Sequence, residues 1–154
     1  MIGIIDYGIN NIRSVLNAIK YIDIPHNVVT NPDNIESYKM LILPGVGAFD
    51  SGVEALKSNG LFDAIKLAAS KDIKIFGICL GMQLLCMESE EGNHKGIGLI
   101  DASVKHLRNI SCKGKIPHVG FNTIQSSDKD IFLESMLNNW NKSMNKNDKA
   151  VPIT

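Results

Sequence analysis

Short, uninterrupted apolar runs alternate with stretches of helical spacing, and this alternation most constrains how the chain can fold. Residues 2–5 form one such run before Asp6, residues 40–43 another before Pro44 and Gly45, and residues 73–76 a third before Gly77. Runs of this length without polar interruption suit strands buried on both faces, as in a parallel sheet. Residues 27–30, just past Pro25, read as a further strand. Between the runs, Asn10 is placed to cap a helix whose Ile12, Val15, Leu16 and Ile19 fall on one face. Helices are predicted over 50–58, 61–70 and 80–88. The expected fold class is α/β, a mostly parallel sheet with helices on both faces, built from right-handed βαβ units. Ligands of such sheets sit at the carboxyl ends of the strands. That singles out residues 6–11, 44–49 and 77–81.

After Gly92 the pattern changes. Residues 97–100, 104–107 and 116–123 read as short strands, and 128–137 as an acidic helix. Residues 138–154 hold five Asn and three Lys with little apolar periodicity. The chain is therefore expected to divide into a domain over 1–137 and a polar, disordered tail over 138–154.

Composition excludes several function classes. Sixteen basic and sixteen acidic side chains cancel, which gives no electrostatic reason to expect nucleic acid or an anionic membrane as partner. No apolar run approaches the roughly 18 residues of a membrane span, and the N-terminus reads as a strand rather than a leader peptide. The three cysteines, Cys79, Cys86 and Cys112, are odd in number and lack CxxC spacing. That argues against a disulfide framework or a zinc site and for a reducing cytoplasm. Cys86, seven residues after Cys79, is expected on nearly the same helical face, towards the core. Cys112 is expected in an exposed loop.

The segment Gly77-Ile78-Cys79-Leu80-Gly81-Met82-Gln83 carries the chemistry. A cysteine between strand and helix, with a glycine two residues away on each side, has the pattern of a nucleophile elbow. Such a turn brings backbone close to backbone, so side chains at the flanking positions would collide. Cys79 would sit at a helix N-terminus, which favours thiolate. The Leu80 N–H would face the same space as an oxyanion donor. In Leu43-Pro44-Gly45-Val46-Gly47-Ala48-Phe49, two glycines free the backbone N–H groups of Val46 and Gly47 to turn towards developing negative charge.

Together these segments resemble the class I, triad-type glutamine amidotransferases, and within them the glutaminase subunits of imidazole glycerol phosphate synthase. The resemblance also rests on Ile4-Ile5-Asp6-Tyr7-Gly8 with Asn11, on Glu88 with Ser89-Glu90-Glu91-Gly92, and on Pro117-His118-Val119-Gly120-Phe121-Asn122. These follow the family's order and spacing from residue 1 to about 125. The resemblance implies that Cys79 attacks the side-chain amide of glutamine, forming a glutamyl thioester and releasing ammonia. It implies an oxyanion hole from Leu80, Val46 and Gly47, and a glutamine site including Gly45, Gly81, Gln83 and Glu88. No cofactor or metal is implied. Ammonia would pass to a (β/α)8-barrel synthase subunit in a heterodimer, with Asn11, Pro117, His118, Phe121 and Asn122 on the face towards it.

The sequence departs from that pattern in three ways. The family's general base is a histidine with a glutamate two residues later, and none of His26, His94, His106 and His118 has one. The expectation is a C-terminally truncated product, and an inactive remnant is one alternative reading. Asn10 stands where the family often has glycine. Phe121 stands where histidine-pathway enzymes commonly carry tryptophan, and it is more familiar from paralogues that supply ammonia for amidating a surface-polysaccharide sugar. A last alternative is an unrelated cysteine hydrolase on a similar sheet.

Overall fold

The computed structural model describes residues 1–110 together with Gly114 and Ile116. Contacts divide the chain after Lys113, and the first unit, Met1–Lys113, contains every element described below. The expectations for 117–154, the tail among them, lie outside the described residues, as does Cys112.

Four strands, β1 (Ile2–Ile5), β2 (His26–Val29), β3 (Met40–Gly45) and β4 (Lys74–Cys79), form one parallel sheet in the order β2-β1-β3-β4. Side chains alternate across it. Ile5, Leu41 and Leu43 face one layer, where they meet α2 (Phe49–Ser58), α3 (Leu61–Ser70) and α4 (Leu80–Leu85) through Phe49, Val53, Leu61 and Leu84. Ile4 and Ile42 face the other, under the Ile12, Val15, Leu16 and Ile19 stripe of α1 (Ile12–Tyr21). The sheet is thus covered on both faces, as the apolar runs required. Chain order turns back at β1, which lies between β2 and β3. The carboxyl ends of β1 and β3 therefore flank a topological switch point.

Several boundaries differ from the sequence reading. β2 begins one residue earlier, at His26. β3 does not stop at Pro44 but runs to Gly45. β1 pairs with β3 only as far as Ile42, so one flank of β3 is open beyond that point and the missing Pro44 N–H breaks no ladder bond there. β4 likewise passes through Gly77 to Cys79. The helix predicted over 80–88 ends at Leu85, and the chain turns into β5 (Cys86–Ser89). There the Leu84 and Leu85 carbonyls accept hydrogen bonds from the Ile97 and Leu99 N–H groups instead of continuing the helical ladder. Cys86 is therefore a buried residue opening a strand, not a position on a helical face. The strands expected over 97–100 and 104–107 are replaced by one, β6 (Ile100–Val104), which pairs parallel to β5 in a separate two-stranded sheet. Past it the chain turns, because Glu90 captures the His106 N–H.

Asn10 acts at the start of α1 from one position further out than a cap. Its Oδ1 accepts from the Ile12 N–H at 3.1 Å, its Nδ2 donates to Asp6, and Asn11 occupies the cap position without a side-chain bond. Among the described residues no helix is long and apolar enough to cross a membrane.

Candidate active site

The junction of β4 and α4 is built by backbone crowding. Cys79 has φ 54° and ψ −119°. The other non-glycine residues at positive φ among those described are Asp23, Asn34 and Asp72, residue types that tolerate the left-handed region. Cys79 is neither Asp nor Asn, and its ψ lies far from the left-handed helical value. Such conformations cost about 1–3 kcal/mol and persist where their surroundings impose them. The surroundings here are specific. A Cβ placed on Gly77 would lie 2.5 Å from the Met82 Cα, and one on Gly81 would lie 1.8 Å from the Leu43 carbonyl oxygen. Both flanking glycines are thus required by close approach of backbone.

This geometry brings part of the predicted set together. Gly45 is the register partner of Cys79 across β3 and β4. A Cβ on Gly45 would fall within 3.0 Å of the Gly81 nitrogen and of the Leu80 side chain. Gly45, Cys79, Leu80 and Gly81 therefore form one tight cluster at the carboxyl edge of the sheet. The Cys79 side chain is exposed, whereas Leu80 anchors the turn in the core. Val46 and Gly47 follow in an exposed loop, with Gly47 at φ 100°. Gln83 is half-buried on α4, and Asn11 is exposed at the start of α1.

Glu88 is placed on β5, and its carboxylate accepts from Lys95 Nζ and from Ser103 Oγ at 3.1 Å, contacts that hold it below the usual carboxylate range. It thus belongs to a shallow polar cleft with Glu90, His94, Lys95 and Lys105. Pro117, His118, Phe121 and Asn122 lie outside the described residues. The three described histidines are engaged elsewhere. His26 Nδ1 meets the Ile24 carbonyl, His94 Nε2 meets Glu54, and His106 Nδ1 accepts from the Arg108 N–H. Among the described residues no group of three His, Cys, Asp or Glu side chains is arranged to hold a metal ion.

Two residues that sequence reasoning did not assign a role stand out. Tyr7 follows β1 directly. It is only 4% exposed, and its hydroxyl has no hydrogen-bond partner among the described residues. That hydroxyl would be 2.4 Å from a Cβ on Gly45, so it lies against the residue registered with Cys79. Burial, reinforced by the negative charge of a Cys79 thiolate, pushes the Tyr7 hydroxyl far above its ordinary pKa. An aromatic hydroxyl one residue beyond a strand's polar end was the available signal. Asp50, in the first turn of α2, accepts the Asn93 and His94 N–H groups, each at 3.0 Å, which lowers its pKa. Its contacts lie more than forty residues along the chain, where no local pattern reaches.

Comparison with known proteins adds an independent line. The family model described as "Glutamine amidotransferase class-I" matches residues 3–152. The imidazole glycerol phosphate synthase subunit HisH of Chlorobium luteolum is 42% identical over 137 residues, covering 88% of this chain and 67% of that protein. The HisH subunit of Bacillus licheniformis is 45% identical over 129 residues, covering 81% of this chain and 61% of that protein. The chain thus spans about two thirds of the length of these relatives. A solved structure described as a glutamine amidotransferase superposes with TM-score 0.60 at 23% identity, over 68% of this chain and 55% of that one, a likeness of fold.

Proposed function

The chain belongs to the class I glutamine amidotransferase family, and from that premise we propose that it is the glutaminase part of an ammonia-transferring synthase, with imidazole glycerol phosphate as the product side of the pair. The observation that carries this reading is the strained Cys79, exposed between two glycines that only close backbone packing explains.

In the proposed reaction the Cys79 sulfur attacks the side-chain amide carbon of glutamine. The carbonyl oxygen becomes an oxyanion facing the Leu80 N–H and the Val46–Gly47 backbone. Collapse of that intermediate breaks the C–N bond, the nitrogen takes up a proton and leaves as ammonia, and the glutamyl thioester is hydrolysed to glutamate. Gly45, Gly81 and Gln83 border the substrate, and Glu88 approaches it from β5. Ammonia passes, shielded from water, to a (β/α)8-barrel synthase subunit docked over Asn11 and the 117–122 segment. The heterodimer works in a reducing cytoplasm, where the thiol stays free.

Incubation with glutamine and the barrel partner should release glutamate, and Cys79→Ser should abolish it. Release that survives Cys79→Ser would sink this reading. One observation favours a second reading, an inactive binding form. No histidine in this sequence has the glutamate two residues later that orients the family's general base. Loss of a base from a nucleophile–base unit lowers rates by roughly 10³–10⁶-fold. Under that reading the chain binds its partner but releases glutamate at least 10³-fold more slowly than the relatives, on the same scale.

A further inference from the structure

The Tyr7 hydroxyl is a buried ionisable group that the proposed reaction leaves unused. A phenylalanine would fill the same space without burying an unpaired hydroxyl, and such burial is unfavourable unless the group is used. The hydroxyl sits at the switch point, against Gly45 and beside the Leu80–Gly81 start of α4. Other ionisable groups there are absent or committed. Residues 43–49 and α4 carry no ionisable side chain except Cys79 itself next to them. Asp6 Oδ1 already accepts from the Gly8 N–H and from Asn10 Nδ2, and Asp50 is held by Asn93 and His94. Glu88 and Glu90, on the smaller sheet, are paired with Lys95 and Lys105.

We propose that Tyr7 is a positioning residue for Cys79, its hydroxyl donating from beneath the elbow towards the thiolate and so favouring the ionised, correctly aimed nucleophile. The inference rests on the reading of Cys79 as nucleophile. Its physical basis is that a hydrogen bond to the charged form of a group stabilises that form. Tyr7 is suited to the role because burial keeps its own proton in place across the working pH range, which makes it a permanent donor.

The test reads the thiol directly and needs no glutamine, so its outcome is separate from that of the glutaminase assay. The full chain is treated with iodoacetamide across a pH series, and alkylation is followed at each cysteine by peptide mass spectrometry. Tyr7→Phe should slow Cys79 alkylation about tenfold near neutral pH and move its profile to the alkaline side. The rate at high pH and the rate at buried Cys86 should stay unchanged. With glutamine and partner present, kcat should fall while KM holds. A Cys79 profile that Tyr7→Phe leaves in place overturns the proposal. If Tyr7→Phe fails to fold, 3-fluorotyrosine incorporated at Tyr7 alone keeps the ring and strengthens the donor. It should speed alkylation below neutral pH, and an unchanged or slower rate overturns the proposal.

Discussion

The two sheets of this protein are held by different forces. The four-stranded sheet is a sandwich of aliphatic side chains in which Ile4, Ile5, Leu41 and Leu43 are essentially inaccessible, and its critical joints are backbone against backbone. The β5–β6 pair exposes most of β6, Ile100 at 41%, and is laced by Glu88–Lys95, Glu90–Lys105 and Glu88–Ser103 contacts. Apolar packing is dense, insensitive to pH and intolerant of added volume. Exposed charge pairs are weak, and they respond to salt and acid. The strained Cys79 sits on the first kind of scaffold, because strain survives only where the surroundings cannot relax. The acidic side chains sit on the second.

The sharpest way to break the contrast is to add one methyl group to the elbow. Gly81→Ala would place a carbon 1.8 Å from a backbone oxygen that cannot swing aside. The expected cost is at least about 3 kcal/mol, the upper end for overpacking, seen as a lower urea midpoint. Any folded fraction should lose rapid alkylation at Cys79. Unchanged stability would mean that α4 is not seated against β3 as described.

Removing volume from the same sheet comes next. Leu41→Ala, at a fully buried site, should cost about 2–5 kcal/mol. Ile100→Ala on the exposed β6 should cost under about 1 kcal/mol, since most of that side chain already meets water. Equal losses from the two would refute the division into a packed sheet and a polar one.

The same division marks what the sequence made legible. The strands of the larger sheet announce themselves because burial on both faces leaves apolar runs that nothing else in a short chain produces. The elbow announces itself because its glycines are dictated by local collisions. α3 was predicted to the residue, since its apolar spacing and the flanking Gly60 are local. What the chain does not spell out depends on distant partners. β3 passes Pro44 only because β1 stops pairing at Ile42. α4 ends early only because residues 97 and 99 take its carbonyls. Glu88 looked like a helix residue for the same reason. Tyr7 stood in plain view within the first motif, but its orphaned hydroxyl is a property of the assembled site.

Asp50 joins the two regions, and removing it should loosen only one. Asp50→Ala deletes the acceptor for the Asn93 and His94 N–H groups. Hydrogen exchange at those two amides should speed up, while the amides of β1 and β3 keep their protection. Faster exchange throughout the large sheet would show that the 92–95 loop supports the core rather than leaning on it.

The smallest effect expected is an acid transition confined to the turn after β6. Glu90 accepts the His106 N–H, the Asn109 side-chain amide and the Lys105 ammonium, and these lower its pKa to about 2. A carboxylate held down in the folded state contributes stability above its ordinary range and loses it as pH falls towards the folded value. The contribution should therefore be complete at neutral pH and fade between the ordinary glutamate range and about pH 2. Because the group is exposed, the whole protein should not unfold with it. Amide exchange at His106 should rise through that window in the native protein and be fast at every pH in Glu90→Gln. The Cys79 elbow, whose joints carry no charge except the thiol, should keep its stability across the same window. Parallel loss at both places would mean that the two sheets unfold as one cooperative unit.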